Sequence, residues 1–440
     1  MKPQIKIGRF MIVLSLLLVL IIPLSGVLAK AKTTLNVWTL TEGDVNEYEQ
    51  KVINAFEKAY PDIQIKLHTA ENESYKTAIQ VAIGSNNPPD IFFVWAGEYT
   101  GKFVRAKQVA DLTKSFNSAW GKAFMKAALT PYTFGNKIYA VPYSVEAKYF
   151  FYNKVAFANQ DLEAPRTWEE LISDGQKLKT AGLVPIAFGV SEPWTGCHYI
   201  SILNQKLVGE KTMMEDYELR NPKGKLFTNP GYVLALKKLK ELQDKDLFNP
   251  SVTSVSNDMA RALFFSSKSA MMFGGTWNMA VWEGINSAAP KDFKAKYGMF
   301  RMPVIKEGKG NQNYVLGAPI GFAISPKSKN LKQAQTFLQY FTSQKSQKQM
   351  VGELKRLPAV AGCVTSDNAS DKLRWVSEDI EKADGMVGWL DTVLEISISN
   401  VYLNGIQAML NGTSTPEQVM ESVQKQAQKV QEQIGSIIYK

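Results

Sequence analysis

Between Thr34 and Trp95 the hydrophobic period changes from two to about four and back, twice. Thr34 to Leu40 puts Leu35 and Val37 on one face, as a strand does. Tyr48 to Tyr60 carries Val52, Phe56 and Tyr60 at four-residue spacing, which predicts a helix. Pro61-Asp62 stops it, and Ile63, Ile65 and Leu67 alternate with polar residues as a second strand. Ser74 to Ile83 is again helical, the run Asn86 to Pro89 breaks it, and Asp90 to Trp95 is a nearly continuous apolar strand. Strands alternating with helices predict a parallel sheet covered on both faces. Ligands of such sheets sit beyond the carboxyl ends of the strands, where strand order reverses. The loops Thr39 to Glu42 and Trp95 to Tyr99 are therefore the first site candidates.

A second αβ region follows. Tyr139 to Tyr152 is rich in aromatic and β-forming residues, and Val184 to Val190, Ser269 to Phe273 and Tyr314 to Ile324 read as buried strands. Thr167 with Glu170, and Thr415 with Gln418, predict capping boxes at two helix starts. The helix Leu331 to Phe341 gathers Leu331, Ala334, Phe337, Leu338 and Phe341 on one face. The last helix carries Val419, Val423, Val430 and Ile434 on one stripe. No internal repeat and no low-complexity linker separates these regions.

The scarce residue types narrow the chemistry. Two histidines, His68 and His198, and two cysteines, Cys197 and Cys363, argue against a metal cluster, a Ser-His-Asp triad or a disulfide scaffold. No cofactor and no metal is expected. The net charge is +10, but Lys2, Lys6 and Arg9 lie in a short basic start, and later basic runs are interspersed with carboxylates. That pattern predicts a solvated surface and no nucleic-acid partner. After the basic start comes an apolar run from Phe10 to Leu24, then small residues, with Val27 and Ala29 at signal-peptidase positions. Residues 1–29 are read as a secretory signal, with an uncleaved anchor as the alternative. The mature chain then begins near Lys30 and is exported to the periplasm or cell surface. No cysteine near the cut is available for a lipid anchor.

The order of several strings resembles the family-1 extracellular solute-binding proteins, the sugar receptors of ABC importers, a family that includes maltose-binding protein. The strings are NVWTL (36–40), FEKAYPDIQI (56–65), PPDIFFVW (88–95), VPYSVEAKYFFYNK (141–154), PRTWEEL (165–171), SSKSAMMFGGTWNM (266–279) and GAPIGFAISPKSKN (317–330). Each is weak alone; their order makes the resemblance specific across nearly the whole exported chain. One departure is Glu146, where the family usually has aspartate. The resemblance implies a two-lobe periplasmic-binding-protein fold of class α/β. Each lobe would be a mostly parallel sheet flanked by helices, with the ligand cleft between lobes. By analogy lobe 1 holds residues 32–142 and 306–362, and lobe 2 holds 143–305 and 363–440.

A sugar offers two C–H faces and a rim of hydroxyls, so its receptor needs flat aromatic platforms and convergent polar groups. Trp38 and Trp95 end strands at the expected switch point. Trp277 follows Gly274-Gly275, where backbone can approach a ligand closely, in the segment resembling the family's second-lobe stacking loop. Trp194 and His198 share the loop SEPWTGCH. Core packing is the alternative for each of these rings. Polar candidates are Thr41, Glu42, Glu98 and Glu146, with Asp391 near Trp389 and Arg356 in KRLPAV as further ones. Gly317 and Ala318 begin a returning strand, where small residues would let backbone amides face the cleft.

These features predict an exported, monomeric binding protein that captures a carbohydrate, expected to be an oligosaccharide, by hinge closure and delivers it to ABC permease subunits. No catalysis is expected. Two alternatives remain: a secreted glycoside hydrolase using carboxylates such as Glu42, Glu98 and Glu146, and the same fold binding a polyamine or peptide.

Overall fold

A computed structural model of the chain describes residues 32–284, 287 and 289–437, together with Met1. The apolar leader and its cleavage site lie outside the described residues.

Twelve strands occur among the described residues. In chain order they are β1 (Thr33–Leu40), β2 (Ile63–Ala70), β3 (Ile91–Trp95), β4 (Thr133–Phe134), β5 (Lys137–Ile138) and β6 (Val141–Asn153), then β7 (Val184–Ala187), β8 (Ser269–Gly275), β9 (Tyr297–Phe300), β10 (Tyr314–Ile324), β11 (Leu357–Pro358) and β12 (Gly385–Val387). β4 and β5 form a separate small hairpin. The main sheet runs β2-β1-β3-β10-β6-β8-β7, with β9 and β11 also on β6 and β12 on β10.

β6 and β10, at 13 and 11 residues, are about twice the usual strand length. Each serves two groups of neighbours. The first half of β6 pairs with β10 and β11, and its second half pairs with β8 and β9. β10 pairs with β12 through Tyr314–Leu316 and with β3 through Ile320–Ile324. The two long strands therefore carry the chain from one βα group to the other and back. They run antiparallel to each other, from Leu316↔Lys148 to Phe322↔Val141, with an irregularity between Ile320 and Gly321. Parallel pairing holds for β1 with β2 and β3, and for β7 with β8. The sheet is thus mixed where the long strands enter it, because strands that cross between groups in opposite directions meet head to tail. A buried apolar run has no feature that encodes direction.

The first helix spans Gly43–Ala59 and the second Asn72–Gly84, each starting earlier than its apolar period. Both capping boxes form, at Thr167/Glu170 and Thr415/Gln418. The strand expected over Val184 to Val190 ends at Ala187. Phe188 then donates its N–H to Asn249 Oδ1 and Val190 to Val252 O, which draws the chain out of the sheet. On the last helix, Pro416–Ile434, Val419, Val423 and Val430 are buried while Ile434 is exposed. The core is strongly aromatic. Phe150 packs against Tyr199, Phe273 and Phe300, and Trp282 packs against Phe151, Phe264 and Phe293. Both cysteines are free and buried.

Candidate ligand cleft

A cleft of about 730 Å³ opens at the carboxyl ends of β1 and β3 and extends across the crossing of β6 and β10. Its polar floor follows from the pleat of β6. Ser144, Glu146 and Lys148 share one face of that strand, since alternate residues point the same way. Glu146 is fully buried and accepts hydrogen bonds from Ser144 Oγ at 2.9 Å and Thr276 Oγ1 at 2.8 Å. Burial pushes its carboxyl pKa up, with Arg356 and the two hydroxyls acting in the opposite sense.

Arg356 reaches this floor because the helix Gln344–Leu354 ends at Lys355 in a left-handed conformation, and β11 then pairs Leu357 with Val145. Its guanidinium ion-pairs with Glu42 and lies 3.5 Å from Glu146 Oε1. Burial alone would lower the pKa of Arg356, but Glu42 and Glu146 reverse that and hold it charged. Its side chain is only 2% exposed, yet Nε and Nη1 have no hydrogen-bond partner. The loop carrying Glu42 is shaped by Asn46, whose side chain accepts from Glu42 N at 2.7 Å and donates to Leu40 O at 2.9 Å.

Opposite this hub stand four rings. Trp194 opens the helix Trp194–Val208, and His198 lies one turn further along it. Trp277 precedes the helix Asn278–Glu283, and Trp389 precedes the turn Leu390–Val393. His198 packs on Trp389 at 4.5 Å, and Trp277 sits 5.9 Å from Trp389 and 6.1 Å from Trp194, both edge-on. The turn is fixed to the helix by Leu390 N donating to Ser201 Oγ at 2.9 Å. Trp277 and Trp194 are only partly buried, so their rings reach the cleft.

The glycines before Trp277 serve a purpose other than the one expected. A Cβ on Gly275 would overlap the Trp277 ring itself, and one on Gly274 would meet Asn278 Nδ2 at 2.5 Å. The missing side chain of Gly275 gives Trp277 room to fold back over the strand end. It does not open the backbone to a ligand.

Between the hub and the rings runs a second polar chain. Lys76 donates to Asp391 Oδ2 at 3.0 Å and Glu73 Oε1 at 3.1 Å, and lies 5.4 Å over Trp95. Burial would lower its pKa, but Asp391 and Glu73 outweigh this and raise it. Lys148 Nζ is 3.1 Å from His198 Nδ1. Burial brings Lys148 down to about 7, and burial together with Lys148 and Lys76 holds His198 well below its ordinary range, as a neutral ring. When Lys148 is charged it can only donate to Nδ1, and the ring proton then sits on Nε2, which lies 3.9 Å from Asp391 Oδ1. Donor atoms of Cys197, His198 and Asp391 lie within 4.8 Å of one another. Burial keeps the Cys197 thiol protonated, and the two lysines flank the group, so its chemistry opposes a bound cation.

Of the candidate residues, Thr41, Glu42, Trp95 and Arg356 line the cleft from the β1/β3 side. Glu146 lines it at the crossing of β6 and β10, and Trp194, His198, Trp277 and Asp391 line it as well. The remaining four do not. Trp38 points to the opposite face of β1 from Val37 and Thr39, with its ring 5.9 Å from that of His68. Glu98 is buried against Arg105 beside a separate, smaller cavity of about 250 Å³. Gly317 and Ala318 lie within the β10–β6 ladder, opposite Ala147 and Glu146. A Cβ on Gly317 would meet Glu146 O at 2.5 Å, so that glycine permits close strand packing and its backbone faces no cleft. The chain's own arrangement adds Trp389, Lys76, Glu71, Glu192 and Arg261 to the wall. Lys148 supports it from beneath, and the sequence signal for that was a charged residue inside an apolar strand.

The model of the bacterial extracellular solute-binding protein family matches residues 42–348. The chain belongs to that family. It is 25% identical to the multiple sugar-binding protein of Streptococcus mutans over 311 residues, 67% of each chain. It is 23% identical to the galactooligosaccharide-binding protein of Bacillus subtilis over 313 residues, 70% of this chain and 69% of that one. Matches to two extracellular-binding proteins of Pyrococcus horikoshii span 54% and 53% of those relatives. Among solved structures, a chitin oligosaccharide binding protein superposes with a TM-score of 0.82 at 23% identity, covering 90% of this chain and 98% of that one. Maltose-bound MalE3 of T. maritima gives 0.76 at 18% identity, covering 90% and 100%. The fold is therefore the two-lobe α/β architecture that the motif series implied. No helix of the described residues is long and apolar enough to cross a membrane.

Proposed function

We propose that the protein is the exported, carbohydrate-capturing component of an ABC importer, which closes on its ligand and presents it to membrane permease subunits. The observation that carries this is the division of one cleft into two halves. The exposed faces of Trp194 and Trp277 stand opposite the hub of Glu42, Arg356 and Glu146. The rings suit the C–H faces of a sugar, and the hub supplies carboxylate acceptors for its hydroxyls. The volume lies within the range of small-molecule sites. The named sugar-binding relatives support the same ligand class.

In this function lobe 1 comprises residues 32–142 and 306–362, and lobe 2 comprises 143–305 and 363–440. The hinge lies where β6 crosses β10, near Val145–Ala147 and Gly317–Pro319. A ligand touching both lobes favours the closed state by its extra contacts there. Hydrolysis by Glu42 and Glu146 is disfavoured because both converge on one guanidinium, which does not set them apart as an acid and a base. The test is a thermal-shift screen of mono- and oligosaccharides followed by calorimetry and product analysis. Saturable binding of an intact sugar is expected. A sugar that is cleaved, or a screen in which no sugar binds, refutes the function.

A further inference from the structure

We infer that the cleft sorts glycans by charge, taking an amine-bearing glycan ahead of the neutral one of the same linkage and turning away the uronate form. The inference rests on the proposed sugar-receptor function. The chain as a whole is basic, with 51 Lys and Arg against 41 Asp and Glu. Its cleft is the reverse: eight carboxylates line the wall with three cationic side chains. Each of those cations is already committed. Lys76 is held by Glu73 and Asp391, Arg261 by Asp258, and Arg356 by Glu42 and Glu146. Asp44, Glu71 and Glu192 have no cationic partner among the described residues.

An anionic sugar entering this cleft finds no uncommitted positive charge and meets three carboxylates that have no cationic partner. The free Nε and Nη1 of Arg356 do not change this, because that guanidinium already sits against two carboxylates. Lys148 does not change it either, since it lies under Trp194 and outside the cleft wall, with its charge weakened by burial. A protonated amine is instead drawn in by the field, and the partly exposed faces of Trp194 and Trp277 receive it favourably. Three unit charges acting over roughly 7–10 Å in a water-like medium change affinity by about three- to tenfold at low ionic strength. Salt screens most of that.

The experiment is calorimetry on the mature chain with α-1,4- and β-1,4-linked trisaccharides, each in the all-glucose form and with a single ring replaced by glucosamine or by glucuronate, and with spermidine. Low and high salt are compared at a pH where the amines are charged. Within the linkage that binds, the glucosamine form is expected about three- to tenfold tighter than glucose, and the glucuronate form weaker by at least that factor. Both differences shrink in high salt, and Glu71→Gln narrows the glucosamine-to-glucose ratio. A ratio of one or less at low salt overturns the proposal, as does glucuronate binding as tightly as glucose. In those outcomes glucose still binds, so the sugar-receptor function stands. Spermidine binding without any trisaccharide, or silence across the panel at millimolar concentration, removes both.

Discussion

Gly275→Ala is a one-methyl change in a position that touches no ligand, yet it should remove most of the sugar affinity. The new Cβ would overlap Cζ3, Cη2 and Cε3 of Trp277, whereas carbon atoms ordinarily meet at 3.4 Å or beyond. Something must retreat by more than about 1 Å. The strand cannot readily do so. Gly275 pairs with Lys148, Thr276 N donates to Ala147 O at 2.8 Å, and Ala147 N donates to Thr276 Oγ1 at 3.2 Å. The indole, free on its cleft side, is what yields, and a platform swung out of line no longer stacks. Loss of an aromatic anchor from a desolvated pocket costs about 2–4 kcal/mol, which is ~30-fold to 1,000-fold in affinity. Trp277→Ala should cost the same. Because both act through one ring, the double variant should be scarcely worse than either single one, a coupling close to the whole single-variant effect.

The assay is calorimetry on all four proteins with one sugar, alongside urea unfolding of each. The reasoning fails if Gly275→Ala binds normally, or if the two losses add. It also fails if Trp277→Ala lowers the unfolding midpoint steeply while binding normally, which would make the ring a core side chain with a cavity cost of about 3–5 kcal/mol.

Three further outcomes are expected. Lys148 titrates near 7 in the folded chain and near 10.4 when unfolded, so the unfolded state binds the extra proton between those values and stability should rise with pH across that window; urea unfolding of Lys148→Met should lack that slope. Arg356→Met leaves Glu42 and Glu146 facing each other without their cation and should cost about 3–5 kcal/mol in unfolding free energy, part of which Glu146→Gln in the same chain should restore. The double variant Cys197→Ser, Cys363→Ser should keep its fold and sugar affinity equally in oxidising and reducing buffer, since both thiols are free; collapse confined to the oxidising buffer would contradict this.

The elements were legible because their signals are local. Alternation around Leu35 and Val37, the four-residue spacing of Val52 and Phe56, and the two capping boxes each depend on residues within a turn or two of one another. Part of the site was legible where a residue ends or closely follows a strand. Glu42 and Trp95 do so and line the cleft. Trp38, two residues before the end of its strand, falls on the other face of the pleat, which the same alternation rule could have shown. Glu98 has a local explanation too. It opens the helix Glu98–Arg105, and Arg105, two turns later on the same face, returns to pair with it. Lys76 and Trp389 are different. They meet the site through Asp391 and His198, partners more than 190 positions away in sequence, and no spacing could announce them.

The two halves of the cleft are also tied to each other through one residue. Thr276 donates its hydroxyl to Glu146 Oε2, and its backbone and Oγ1 hold Ala147 on both sides. Glu146 is in turn placed by Arg356, which is placed by Glu42. The residue after Thr276 is Trp277. An unbroken run of contacts therefore leads from the loop after β1, through the crossing of the two long strands, to the stacking ring on the far side. A ligand that engages Glu42 acts on the same polar hub that fixes the base of Trp277. The short hydrogen-bonded segment at the strand crossing thus makes the position of the platform depend on the integrity of the hub. Glu146 sits at the centre of that hub, buried among Ser144, Thr276 and Arg356.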